Sequence, residues 1–285
     1  MNFFNNDAAI FIPDNTDKHM ALSRTTDLCI AAHQDDIEIM AYGSIANCYG
    51  NHTRHFTGIV VTDGRGSPRS GVYANYSDED MKNIRAIEQK NAALVGRYSV
   101  QVMLSYRSSE IKKPMNRDLI EDIKSLIQAC TPEVLYTHNL ADKQDTHIGV
   151  VLHVIHALRE LPTQQRPKKV ISMEVWRSLD WLCDEDKYIE DTSAYPNISA
   201  ALLGVFDSQV SGGKRYDMGA IGRRLANATF SATHAVDEYE SASYGLDITD
   251  LINSNTSPTE FISRYIDKFK EDVVRRLATV EGGEI

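Results

Sequence analysis

The first 176 residues alternate short apolar segments with longer amphipathic segments. Most of the apolar segments are rich in β-branched residues, and several are hydrophobic on both faces, which is typical of parallel strands covered by helices. The predicted strands are residues 27–32, 56–62, 99–105, 133–138 and 168–176. Apolar stripes at helical spacing predict helices over residues 79–95, 116–130 and 147–160. This order predicts an α/β fold with an open, mostly parallel sheet and helices on both faces.

The pattern is looser after residue 176, where loops, a helix and a glycine-rich turn follow one another. We expect residues 177–285 to form a C-terminal extension that packs on the Rossmann-like core of residues 25–176, so that residues 1–285 make a single domain. The last helix is well marked, because "SPTEF" (257–261) supplies a serine cap followed by proline and glutamate. Its predicted apolar stripe is Phe261, Tyr265, Phe269 and Val273.

Charge and composition exclude several classes of function. The chain has 30 basic and 40 acidic residues and a net charge of −10, which disfavours binding to nucleic acids or to anionic membranes. It has no apolar run long enough to span a bilayer, and its first residues do not resemble a secretory signal. Its four cysteines show no CxxC spacing. We therefore expect a cytoplasmic protein without disulfides.

Polar clusters follow four of the predicted strands directly. They are "HQDD" (33–36), "DGRG" (63–66), "YRSSE" (106–110) and "HNLADKQDTH" (138–147). The carboxyl ends of parallel strands meet at one edge of a doubly wound sheet, and ligands bind beyond that edge. The four clusters therefore predict one shared site. Neither a GxGxxG nor a GxxxxGK[ST] pattern is present, which argues against a nucleotide.

Three residues of these clusters could hold a metal ion. His33 and Asp36 lie on one strand-to-helix turn, and His147 opens the helix beyond the fourth strand. Two imidazoles and one carboxylate with an open fourth position make a catalytic zinc site, and the adjacent Asp35 could then accept a proton from a metal-bound water. The same residue types also cap helices, so their spacing alone leaves both interpretations open.

The stretch "AAHQDDIE" resembles the "AHPDDxE" signature of the PIG-L/LmbE family of zinc-dependent N-deacetylases, which act on N-acetylglucosamine-type sugars and glycoconjugates. Its "DDIE" form is most similar to the branch of bacillithiol-pathway deacetylases. The similarity extends through "VVTDGRGS" (60–67), "RAIEQKNAALVG" (85–96) and "THNLADKQDTH" (137–147). It therefore covers about the first 160 residues.

The resemblance implies a role for each matching residue. His33, Asp36 and His147 would bind Zn²⁺ or another divalent ion, and Asp35 would be the general base. Arg65 lies in the loop that contacts substrate in the family, although an exposed arginine there could also be merely solvated. The substrate would be a small amino sugar or glycoconjugate, and we expect homo-oligomers. Arg85 and Glu88 match positions that we interpret as an i,i+3 ion pair on a helix.

The chain departs from the family at the fourth motif. The first histidine of the common "HPDH" motif corresponds to Gln144, and its orienting aspartate to Thr146. Glutamine can donate a hydrogen bond to an oxyanion but cannot transfer a proton. Either Asp35 returns the proton or another acid such as His138 serves, although His138 could equally be held by the backbone. His234, Asp237 or Glu238 could also reach the site from the C-terminal region.

Three functions therefore stay open from the sequence. The first is a metal-dependent hydrolase that removes an N-acetyl group from an amino sugar or glycoconjugate. The second is a non-catalytic or weakly active carbohydrate-binding relative that keeps the metal site but lacks proton transfer. The third keeps the metal and hydrolyses another amide or an ester.

Overall fold

The computed structural model describes residues 1–113 and 115–282, so residues 283–285 of the predicted extension lie outside the described residues. The described strands are β1 (Ala9–Phe11), β2 (Asp27–Ala31), β3 (Phe56–Thr62), β4 (Val100–Tyr106), β5 (Val134–His138), β6 (Lys169–Met173), β7 (Tyr188–Asp191) and β8 (Ala242–Asp247). The described helices are α1 (Lys18–Ser23), α2 (Asp36–Met40), α3 (Tyr42–Cys48), α4 (Asp78–Val95), α5 (Ser108–Ile111), α6 (Arg117–Cys130), α7 (Asp145–Glu160), α8 (Pro196–Gly204), α9 (Asp207–Val210), α10 (Tyr216–Phe230), α11 (Thr249–Ile252) and α12 (Pro258–Glu281).

The strands form one sheet in the order β1-β4-β3-β2-β5-β6-β8-β7. β4, β3, β2, β5 and β6 are parallel, whereas β1 and β8 run antiparallel to their neighbours β4 and β6. The connections after β2 and β3 run to one side of β2, and β5 lies on its other side. The carboxyl ends of β2 and β5 therefore flank a topological switch point, where ligands bind in sheets of this kind.

Two hydrophobic layers cover the sheet. Alternate residues of β2 point to opposite faces, with Leu28 and Ile30 in one cluster and Cys29 and Ala31 in the other. α1, α6 and α7 pack on the first face, and α2, α3 and α8 pack on the second. The expected mixed α/β fold with an open sheet and helices on both faces is therefore confirmed.

The helix starts follow the predicted capping chemistry. Ser77 and Asp80 form a capping box at α4, and the Asn116 side chain accepts hydrogen bonds from the first turn of α6. The Ser257 hydroxyl accepts a hydrogen bond from Glu260 N–H at the start of α12. Polar caps at these places satisfy N–H groups that have no partner within the helix.

The C-terminal extension contributes strands that the sequence pattern did not predict. β8 pairs with β6, and β7 pairs with β8, so both prolong the same sheet. β6 itself ends at Met173 and not at residue 176 as predicted. Each helix in the described part of the chain is too short or too polar to cross a membrane.

Candidate metal centre

The turn between β2 and α2 brings His33, Asp35 and Asp36 to the switch point. The Asp36 carboxylate accepts a hydrogen bond of 2.7 Å from His33 N–H, which fixes the turn. Asp35 has a φ of +91°, a conformation that costs a non-glycine residue about 1–3 kcal/mol. The surrounding contacts hold this strained turn, with Asp35 and Asp36 both buried.

Three donor atoms from this turn and from α7 converge. His33 Nδ1 lies 3.1 Å from Asp36 Oδ2 and 3.2 Å from His147 Nε2. His147 Nε2 lies 3.2 Å from Asp36 Oδ2. Ligand atoms on a tetrahedral zinc ion with bonds of about 2.1 Å lie about 3.4 Å apart. The separations, the donor types and the burial all suit one small divalent cation.

The electrostatics of Asp36 and His147 favour positive charge between them. Burial by itself would raise the pKa of Asp36, but His147 and the hydrogen bonds from both histidines hold it well below its usual value. Burial would lower the pKa of His147, but the carboxylates of Asp36 and Asp142 raise it to about 9. A site that retains a proton on a buried imidazole also has the charge balance to accept a cation.

A second carboxylate supports His147 from behind. Asp142 Oδ2 lies 3.3 Å from His147 Nδ1, and it accepts a hydrogen bond of 3.3 Å from Trp176 N–H. A carboxylate on the far nitrogen orients a ligating histidine and fixes its tautomer. Asp142 was not predicted from the sequence, because the aligned motif has its orienting position at Thr146.

His138 lies behind this cluster. Its Nε2 accepts a hydrogen bond of 2.8 Å from Ala32 N–H, and its ring stacks on that of His147 with centroids 3.8 Å apart. It is fully buried, and burial, reinforced by His147, lowers its pKa to about 3. This placement favours the backbone-held alternative over proton donation, because His138 is not among the described residues that line the cleft.

Arg85 reaches the site instead of pairing with Glu88. Its guanidinium donates to the main-chain oxygen of Gln34 and lies 3.3 Å from Asp35 Oδ2. Glu88 accepts hydrogen bonds of 2.6 and 2.7 Å from Ser208 N–H and Oγ–H. The expected i,i+3 ion pair is therefore wrong, because the two side chains leave α4 towards different elements. Burial raises the pKa of Asp35 to about 8, against the opposing charge of Arg85.

Two adjoining cavities open on the metal-site residues. The first, the polar cavity, has a volume of about 290 Å³. The second, the apolar cavity, has a volume of about 180 Å³. Both are lined by Asp35, Asp36, Trp176 and Tyr216, so these four residues form the border between them.

The polar cavity contains the divergent fourth motif. Gln144, Thr146 and Lys112 line it together with His33. Gln144 Oε1 is buried and has no hydrogen-bond partner within residues 1–113 and 115–282. An unpaired buried amide oxygen is costly, so this group is available to a polar group of a ligand.

Other predicted site residues lie elsewhere. Arg65 Nε donates to Asp63 Oδ2 over 2.5 Å, and Arg65 is outside the described lining of both cavities. His234, Asp237 and Glu238 are exposed in the loop after α10. The C-terminal wall comes instead from Tyr216 at the start of α10 and from Trp176. No motif marked Tyr216, since only the fold brings α10 to the switch point.

One family model matches the part of the chain that carries the metal-site residues. The family model described as PIG-L, GlcNAc-PI de-N-acetylase, matches residues 28–158, which span β2 to α7. No curated protein matches the chain.

The fold is similar to those of several solved structures. An N,N'-diacetylchitobiose deacetylase from Pyrococcus horikoshii matches with a TM-score of 0.64 and 14% identity, over 81% of this chain and 86% of its own. The 4-carboxy-2-hydroxymuconate hydratase from Pseudomonas putida KT2440 matches with a TM-score of 0.61 and 15% identity, over 82% and 100%. The A40926 pseudoaglycone deacetylase matches with a TM-score of 0.57 and 15% identity, over 79% and 97%. The same fold thus carries a hydratase as well as deacetylases, so the fold alone does not specify the reaction.

Proposed function

We propose that the chain, whose residues 28–158 match the PIG-L family model, is a metal-dependent hydrolase that removes an N-acetyl group from an amino sugar or glycoconjugate. The observation that carries this proposal is the triangle of His33 Nδ1, Asp36 Oδ2 and His147 Nε2, with separations of 3.1–3.2 Å. The Asp35 carboxylate lies beside it at the border of the two cavities. A deacetylase among the fold relatives supports the same reaction.

His33, Asp36 and His147 would hold Zn²⁺ or another divalent ion. Such an ion makes a nearby water more acidic and polarises the substrate carbonyl. Asp142 Oδ2 lies 3.3 Å from His147 Nδ1, where a carboxylate would favour a proton on Nδ1 and so leave Nε2 free to ligate. His138 packs behind His147 and acts as a positioning residue.

Asp35 is the proposed general base. It lines both cavities next to Asp36. Its carboxylate pairs with Arg85 and is not one of the three proposed metal ligands. Asp35 takes a proton from the attacking water, whose oxygen forms a bond to the carbonyl carbon. The C–N bond then breaks, and Asp35 returns the proton to the leaving amine. The products are acetate and a free amine.

Gln144 takes the position of the missing histidine in the polar cavity. Its amide can donate a hydrogen bond to the developing oxyanion or accept one from a sugar hydroxyl, but it cannot supply a proton. Proton return by Asp35 therefore needs no second acid. A chain in which Asp35 alone accepts and returns the proton can be catalytic, whereas the binding-only alternative has no residue that transfers a proton.

The test compares metal content and acetate release for the wild type and three variants. His147→Ala should lose the bound metal, because it removes one of three ligands. His153→Ala is the matched control on the same helix, since this buried histidine is hydrogen-bonded to Gly149 O and Asn116 N and should leave the metal in place. Elemental analysis of the wild type and of the control should find about one ion per chain.

Asp35→Asn separates catalysis from binding. Asparagine tolerates the positive φ at this position and cannot accept the proton, so metal content should persist while acetate release falls by about 10³-fold or more. N-acetylglucosamine and diacetylchitobiose are the first substrates, assayed with metal and with chelator. Metal-dependent binding without acetate release in the wild type would support the binding-only alternative.

A further inference from the structure

The apolar cavity is larger than an acetyl group requires. Besides the four border residues, its lining consists of Ile39, Val175, Gly219 and Ala220 together with two arginines, Arg215 and Arg223. An acetyl group presents a single methyl, whereas an apolar cavity of about 150 Å³ suffices to bind benzene. At about 180 Å³ the apolar cavity is large enough for a group of about six carbons.

Both arginines at this cavity have partners within the protein. Arg215 forms two hydrogen bonds of 2.9 Å to the Asp217 carboxylate. Arg223 donates to the main-chain oxygens of Val175 and Trp176. A sugar placed here would bury hydroxyl groups without partners, which costs free energy. The cavity therefore favours an apolar group over a saccharide.

The border residues fix which part of the substrate enters each cavity. The reacting amide must lie beside Asp35 and Asp36, which line both cavities. The two substituents of an amide point in opposite directions from the C–N bond. The hydroxylated amine side suits the polar cavity, where Ser67, Gln144 and Gln209 offer hydrogen bonds. The acyl side is left for the apolar cavity.

We infer that the apolar cavity is an acyl subsite, and that the chain hydrolyses N-acyl amino sugars whose acyl group is longer than acetyl, up to about six carbons. This inference rests on the proposed function and names its substrate class. The chemistry is amide hydrolysis as above, with water consumed and a carboxylic acid and a free amine released. Each buried methylene is expected to raise kcat/KM about fourfold, from about 0.8 kcal/mol of transfer free energy.

The test uses N-acetyl-, N-butanoyl- and N-hexanoylglucosamine with the metal-loaded protein. The measured quantity is the ratio of kcat/KM for the hexanoyl substrate to that for the acetyl substrate. In the wild type, kcat/KM for the hexanoyl substrate should be more than about ten times that for the acetyl substrate. Gly219→Leu should lower it by at least tenfold, because Gly219 lines the cavity on α10 and a Cβ at this position would meet no heavy atom within 4 Å.

Gly222→Leu is the matched control. It introduces the same side chain one turn further along α10, where a Cβ also meets nothing within 4 Å, and it lies outside the described lining of the cavity. The ratio should be unchanged in this variant. Ala220→Phe is a second cavity-filling variant, which keeps the test decisive if Gly219→Leu folds poorly.

Three results would overturn the inference. A wild type that hydrolyses the acetyl substrate much faster than the longer ones has no acyl subsite of this size, although the proposed function would stand. Gly219→Leu could instead change the ratio of kcat/KM between octyl and methyl glycosides and leave the ratio between acyl lengths unchanged. That result would assign the cavity to the aglycone. Failure to hydrolyse any N-acyl substrate would refute the proposed function itself.

Discussion

At the scale of single residues, Arg85 from α4 contacts the turn that carries His33, Asp35 and Asp36. "HQDD" predicted the positions of His33, Asp35 and Asp36, because a polar cluster after a buried strand must lie at the sheet edge. The i,i+3 spacing, by contrast, predicted an ion pair between Arg85 and Glu88 along one helix. The structure shows that Arg85 is buried and faces Gln34 and Asp35. A local ion-pair rule could not foresee partners 50 and 51 residues away.

We expect Arg85→Lys to lower kcat at least tenfold, about 1.4 kcal/mol of barrier. Lysine keeps the charge, but its single ammonium group cannot hold the Gln34 carbonyl and the Asp35 carboxylate together. KM and metal content should stay near wild type, because Arg85 contacts none of the proposed ligands directly. Steady-state kinetics with elemental analysis check this, and Arg97→Lys, exposed just after the same helix, is the control. An unchanged kcat would assign Arg85 a purely structural role.

At the scale of elements, α12 illustrates the limit of a periodic pattern. The stripe Phe261, Tyr265, Phe269 and Val273 predicted the helix correctly. However, Phe261 is 3% exposed, whereas Phe269 and Val273 are 40% and 39% exposed. Only the first turns of α12 pack on the core. Periodicity identifies the apolar face of a helix, but it does not determine how much of that face finds a neighbour.

The two ends of α12 should therefore respond differently to truncation of a side chain. Phe261→Ala should lower the free energy of unfolding by about 3–5 kcal/mol, because it leaves a cavity in the core. Val280→Ala should change it by less than about 0.5 kcal/mol, since Val280 is 88% exposed. Urea denaturation of both variants measures the difference. Equal losses would mean that the far end of α12 is also covered.

At the scale of the whole molecule, the C-terminal extension is part of the sheet. β7 and β8 pair on its edge, and α10 closes the cleft beside the metal-site residues. Gly43 in α3 lies directly against β7, where a Cβ would stand 2.4 Å from Glu190 Cγ and 2.6 Å from Asp191 O. The absence of a side chain at Gly43 thus lets the core and the extension approach closely.

Gly43→Ala should lower the free energy of unfolding by about 1–3 kcal/mol, the usual cost of overpacking. Gly219→Ala is the matched control in another helix, where a Cβ meets nothing and the higher helix propensity should add up to about 1 kcal/mol. Thermal unfolding of both variants tests the pair. A neutral Gly43→Ala would show that α3 and β7 can separate at little cost.

The parallel core, the capped helices and the sheet edge that carries His33, Asp36 and His147 could all be predicted from the sequence. These features follow from local periodicity, capping chemistry and the rule that parallel strands end together. Three contacts became visible in the folded chain alone. Asp142 lies beside His147, and Arg85 lies beside Asp35. Tyr216 and Trp176 line both cavities of the cleft. Those contacts join elements that are far apart in the chain, and a local sequence pattern does not predict which distant residues will lie close together. The short strands β7 and β8 also depend on tertiary contacts, because strands of four to six residues owe their existence to their partners rather than to their own sequence.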